Sequence, residues 1–158
     1  LNLLAAQKFS TPITTLREKE AFPVIETEAY RIKVVMGEAF GQASPTELHS
    51  PAFYHHITLK AGARLNLPVD PSHNAFLHMV QGRLEVEGQR ELKKQQLALY
   101  QRGGSEMRFY SAEGAEFLVL GGQPLNEPVV SYGPFVMNTD SQIQKCFADY
   151  RSGRMGEL

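Results

Sequence analysis

Ile57-Thr-Leu-Lys-Ala-Gly-Ala63, the loop Pro68-Val-Asp-Pro-Ser72 and Ala75-Phe-Leu-His-Met-Val-Gln-Gly82 form the stretch of sequence on which the fold turns. Each apolar run is too short for a helix of several turns, and each is closed by glycine or proline. Chains that build antiparallel barrels and sandwiches read this way. Working outward from it, the spacing predicts strands over Tyr30–Gly37, Ala52–Lys60, Ala75–Val80, Arg83–Val86, Gln96–Tyr100, Glu106–Phe109 and Glu116–Gly121. Turns are expected at Ala61-Gly-Ala63, Gln81-Gly-Arg83, Glu87-Gly-Gln89, Arg102-Gly-Gly104 and Ala112-Glu-Gly114, where glycine supplies conformations other residues resist. The fold class is therefore all-β.

One helix is expected, at the C-terminal end. Thr139-Asp-Ser-Gln142 has the spacing of a capping box, and Ile143, Phe147 and Tyr150 follow at i, i+4 and i+7 as one apolar stripe. Gly153 stands where a left-handed cap needs a residue without a side chain. We expect this helix to lie outside the barrel, covering apolar surface or an exposed edge.

Composition bounds the function. The 158 residues suit one domain with a real core, 42% of them hydrophobic and 21% charged. A formal net charge of −1, with both signs mixed along the chain, offers no basic stripe to neutralise phosphates, so direct nucleic-acid binding is not expected. Cys146 is the lone cysteine. It excludes an intrachain disulfide and points to a reducing, cytoplasmic setting. In a helix beside Phe147 it reads as a packing residue. No apolar run approaches the ~20 residues of a membrane-spanning helix, so no membrane partner is expected. Leu1-Asn-Leu-Leu-Ala-Ala6 lacks the pattern of a signal peptide. A first residue other than Met suggests a processed product or a piece of a longer chain.

Histidines are the residues to weigh for chemistry. On strands, residues of one parity share a face. His73 then falls with Ala75, Leu77 and Met79, and His55 with Ile57 and Leu59, so both imidazoles are candidates to face the interior. Two inward imidazoles could hold a metal or a polar ligand; the ordinary reading is a pair of hydrogen-bonded buried histidines. His49, His56 and His78 have the other parity or a surface setting and receive no functional reading. No nucleophile elbow, phosphate-binding loop or dinucleotide fingerprint is present.

The segment Ile57–Gly82, with Arg83-Leu-Glu-Val86, Gln96-Leu-Ala-Leu-Tyr100, Gly103-Gly104 and Glu106-Met-Arg-Phe109, resembles the paired motifs of a cupin barrel, a double-stranded β-helix of jelly-roll type. In metal-holding cupins two His and a Glu of the first motif and a His of the second point inward. Matched back from Gly82, the Glu position falls on Ala75 and the His positions near Pro68–Pro71; the second-motif position falls near Met107 or Arg108. The resemblance therefore implies a barrel without the usual ligands and no cofactor in this chain.

Gly122-Gln-Pro-Leu-Asn-Glu-Pro-Val-Val-Ser-Tyr-Gly-Pro-Phe-Val-Met-Asn-Thr139 and the helix after it resemble the C-terminal tail of pirins, and Val35-Met-Gly-Glu-Ala-Phe-Gly41 and Ser50-Pro-Ala-Phe-Tyr54 resemble the segments opening the second pirin barrel. The implied boundaries are a linking strand and lead-in over 1–29, a barrel over 30–122, and a strap with helix over 123–158, one domain with the barrel. Pirins pair an N-terminal cupin, which holds iron through three His and a Glu, with a second cupin like this one. The resemblance implies quercetin 2,3-dioxygenase chemistry at the first barrel and regulatory partnerships for the whole protein. Expected partners are the N-terminal cupin half, a second copy joined through the N-terminal strand around Leu1–Leu4, or another protein. A non-catalytic interaction half stands first, a small-molecule-binding barrel second, and an independent metal-dependent enzyme last.

Overall fold

The computed structural model of the chain describes residues 3–88 and 90–155. They form two compact units, one spanning Thr15–Pro124 and the other made of the chain's two ends, up to Thr14 and from Leu125 onward.

The first unit is a curled antiparallel sheet. Its strands are β1 (Val24–Glu26), β2 (Tyr30–Met36), β5 (Ala52–Leu59), β6 (Ala63–Pro68), β7 (Asn74–Val86), β8 (Arg90–Lys93), β9 (Leu97–Tyr100), β10 (Glu106–Ser111) and β11 (Ala115–Gly122), with a two-residue pair, β3 (Glu38–Ala39) and β4 (Gln42–Ala43), beside them. The order is β1-β2-β5-β11-β7-β10-β6, with β8 and β9 also on β7. Inward side chains stack in rows that follow the register. Ile32, Ile57, Phe117 and Met79 make one row, and Val34, His55, Val119, Leu77 and Ala98 make the next. Apart from Ala98, every member of these rows is buried. Burial of so much aliphatic area is the main force closing the sheet. Phe109 tilts against Phe117 at 5.0 Å between ring centroids and fills the centre.

The expected strands are present, some of them longer than the spacing implies, and others stand where no strand was expected. Gln81-Gly-Arg83 is not a turn: β7 runs unbroken for 13 residues. Gly82 adopts φ +80°, and a Cβ there would lie 2.3 Å from the Gly114 carbonyl oxygen. Before Gly82 the strand pairs with β9 and β11; after it, with β8 and β10. Glycine thus lets one strand turn the corner between the two halves of the sheet. β6 was not expected as a strand, yet its Leu65 and Leu67 are buried at alternate positions. β8 carries no strand signal in the sequence because Leu92 is its lone apolar residue.

In the second unit the tail is not merely an extended strap. Val130–Tyr132 (β12) and Phe135–Met137 (β13) form a hairpin through Gly133, which has φ +57°. Helix α1 (Asp140–Arg151) follows with the expected capping box: Thr139 Oγ1 accepts from the Gln142 amide at 3.3 Å, and Gln142 Oε1 accepts from the Thr139 amide at 3.0 Å. Gly153 takes the expected left-handed conformation, φ +71°. The expected stripe holds at Ile143 and Phe147, with Cys146 on the same face, but not at Tyr150. Ile143 and Cys146 are buried while Tyr150 is 66% exposed, and Phe147 meets the rings of Tyr132 and Phe135 edge-on.

The expected N-terminal linking strand begins at Leu1 and Asn2, which lie outside the described residues. Leu3 and Leu4 are not strand, and a 3₁₀ turn follows at Ala5–Gln7. Glu127 joins this end to the tail, its Oε2 accepting from the Ala5 amide at 2.8 Å and from Asn138 Nδ2 at 3.1 Å. Among the described residues, no helix is long and apolar enough to cross a membrane.

Thr139→Ala removes the cap acceptor and is expected to cost the helix about 1 kcal/mol. Hydrogen exchange of the Asp140–Arg151 amides should accelerate by roughly fivefold if they open locally; unchanged rates would show that the cap contributes nothing.

Candidate functional site

The row above His55 is formed by Phe53, Gly121, Ala75 and Tyr100. Its middle members, Gly121 and Ala75, are small, and an aromatic residue stands at each end of the row. Glycine is required at 121: a Cβ would stand 2.4 Å from Phe53 Cζ and 2.5 Å from the Asn74 carbonyl oxygen. The Phe53 ring therefore lies across the Gly121 backbone. At the Phe53 end of this row opens a cavity of about 440 Å³, bordered by Glu38, Ser44, Phe53, His55, Asp70 and His73 among others. That volume is in the range of small-molecule sites.

Two local devices shape the opening. At β2 the ladder skips between Val34 and Met36, and a bulge of this kind leaves a carbonyl free. The Val35 carbonyl accepts the hydroxyls of Ser44, at 2.7 Å, and Thr46, at 3.0 Å, which hold the 37–46 segment at the rim. On the opposite side, Asp70 accepts from the Ser72 amide at 2.8 Å and from its hydroxyl at 2.6 Å. The Ser72 contacts hold the Asp70 carboxyl below its usual range, with a smaller contribution from nearby His73. Asp70 thus stays ionised at the rim.

Both candidate histidines border this cavity. His55 is 2% exposed, and burial pushes its pKa down from 6.5 to about 4, against smaller upward pulls from backbone hydrogen bonding at Tyr54 and Glu38. The ring is neutral at neutral pH. Phe53 stacks on both imidazoles, 5.4 Å from His55 and 6.3 Å from His73, with planes 21° and 19° apart. The Nδ1 atoms of both rings are buried and without a hydrogen-bond partner. Buried polar atoms are almost always satisfied, so two orphans at one cavity are informative.

Tyr100, at the other end of the row, is not among the residues that border the cavity. Its hydroxyl is also buried without a partner, and burial pushes the phenol up, with Glu87 adding to the effect. Its inward orientation follows from the Ala75–Tyr100 register, which sequence alone does not give. His56, on the opposite face of β5, lies 2.6 Å from Glu116 and stands apart from the cavity.

The donors do not fit a cupin-type iron centre. Ala75 occupies the expected carboxylate position on the inward row, and Met107 at the second-motif position is buried in the apolar core. Among the described residues, no three His, Cys, Asp or Glu side chains converge closely enough to hold a metal ion. A smaller cleft of about 170 Å³ borders Arg64, Arg108, Glu85 and Glu87; the Arg108–Glu87 pair, 3.2 Å apart, already matches charge there.

Comparison with known proteins agrees with this architecture. Residues 54–156 match the family model described as the pirin C-terminal cupin domain. A pirin-like protein of Solanum lycopersicum is 32% identical over 99% of this chain and 55% of its own length. Human pirin is 26% identical over 99% of this chain and 55% of its own. The crystal structure of quercetin 2,3-dioxygenase from Acinetobacter baumannii matches 99% of this chain and 55% of its own with a TM-score of 0.93 and 30% identity. The chain spans about half the length of the curated relatives it matches.

Proposed function

Because the chain belongs to the pirin family and carries its C-terminal cupin domain, we propose that it serves as the structural and protein-interaction half of a two-barrel assembly, without a catalytic metal of its own. The observation that carries this reading is the inward row itself. Ala75 stands in the carboxylate position, and the rows beneath it are, apart from His55, filled by aliphatic and aromatic side chains. Such an interior gains its stability from packing and offers too few donors to grip a transition ion.

On this reading the chemistry named for the Acinetobacter baumannii relative belongs to the part of that protein outside the matched half. The partner of this chain is then an iron-bearing N-terminal barrel, with a second copy as the alternative. Its site of action would be the cytoplasm, where an unpaired buried cysteine is stable. A second reading, a barrel that binds a small molecule, is favoured by the unpartnered nitrogens at the mouth.

Elemental analysis of the purified chain after dialysis tests the proposal. Substoichiometric iron, manganese, nickel and zinc are expected. One equivalent of any of them, lost on His55→Phe, would refute a metal-free barrel. Analytical ultracentrifugation with a separately produced N-terminal half should yield a mixed species; a chain that sediments unchanged argues against the interaction role.

A further inference from the structure

We propose that the barrel mouth binds a small organic cation, an ammonium on a flat apolar body, through the Glu38 and Asp70 carboxylates, the Phe53 ring and the unpartnered imidazole nitrogens of His55 and His73. This goes beyond the interaction role above and does not depend on it.

Charge at the rim selects the sign of the ligand. Glu38 and Asp70 border the cavity, and among the described residues no Lys or Arg does. A carboxylate or phosphate would be desolvated there with no cation to meet it, which is costly. An ammonium is attracted by both carboxylates and carries N–H donors inward.

The interior supplies what those donors need. A neutral imidazole has one bare nitrogen, which accepts a hydrogen bond. His55 is nearly wholly buried with Nδ1 unsatisfied, and His73 presents a second unsatisfied Nδ1. Phe53 borders the same cavity, and an aromatic ring attracts a cation more strongly in a desolvated setting than at the surface. A bare metal ion is a poorer match, since among the described residues no three His, Cys, Asp or Glu side chains converge.

Isothermal titration calorimetry with three probes of one shape separates the possibilities: benzylammonium, benzyl alcohol and benzoate, each added to the full chain at mildly alkaline pH and low salt. Benzylammonium is expected to bind about tenfold or more tighter than benzyl alcohol, with benzoate weakest, as charge attraction and cation–π contact both favour the cation. The double variant Glu38→Gln/Asp70→Asn changes exposed side chains and should keep its fold. It should lose most of the preference for the amine. Long-range nitrogen spectra of the histidine rings should show His55 and His73 shifting on amine binding. The proposal is overturned if benzyl alcohol or benzoate binds as well as the amine, if the amine fails to bind at millimolar concentration, or if the rim variant leaves the preference intact. Amine binding without a shift at either histidine, or micromolar zinc binding at the mouth that displaces the amine, overturns it equally.

Discussion

Gly82→Ala is expected to destabilise the barrel by about 2–5 kcal/mol, the sum of a left-handed conformation that a side chain resists and a steric overlap that the backbone must relieve. Gly82 has φ +80°, and the new methyl would sit 2.3 Å from the Gly114 carbonyl oxygen and 3.0 Å from Ala115 Cα. Both neighbours are main chain on β11 or its lead-in, so no rotamer change makes room. The two strands must separate at the point where β7 passes from one set of partners to the other.

Gly62→Ala is the matched control. Gly62 has a similar φ, +75°, yet nothing lies within 4 Å of the position its new methyl would take, so the cost there is conformational alone, about 1–2 kcal/mol. Urea denaturation midpoints of the two variants, compared at constant m-value, separate the terms. Equal losses would mean that the close approach at Gly114 is readily relieved, and the proposed corner would lose its steric basis.

Acidification is expected to weaken the fold through His55. The unfolded imidazole protonates near 6.5, whereas the folded ring resists until about 4. Between those values the unfolded chain binds more protons, so stability falls as pH drops through that window and levels off below it. A shift of this size corresponds to at most about 3 kcal/mol. The ring is almost wholly buried, so solvent screening removes little of that. His55→Phe should flatten the decline between pH 6.5 and 4 relative to the parent chain. Thermal unfolding across the series measures it, and parallel pH profiles for the two proteins would show that His55 is not the group responsible. Other groups contribute in the same range, but they are common to both proteins and cancel in the comparison.

Much of this molecule is legible from local pattern. Ile57 and Leu59, and Leu77 and Met79, announce buried strand faces because alternation is a property of the backbone itself. The Thr139–Gln142 box announces a helix start because its partners are three residues apart. By the same parity His55 and His73 could be nominated as inward, and the absence of a carboxylate at Ala75 could be read once the glycine at 82 anchored the motif.

What local pattern could not supply was anything that depends on which strands become neighbours. That Gly82 bends a continuous strand instead of closing a hairpin is decided by Gly114, a residue of another strand's approach. That Phe147 packs edge-on against Tyr132 and Phe135 is decided by a hairpin brought up beside the helix. The mouth was decided the same way, since Glu38 of β3, Phe53 and His55 of β5, and Asp70 and His73 between β6 and β7 border one cavity only in the folded sheet. Sequence alone determined the alternation, the cap and the residue types available. Tertiary pairing decided which of those residues share a cavity, because hydrogen-bond register between distant strands is set by the packing of the whole sheet.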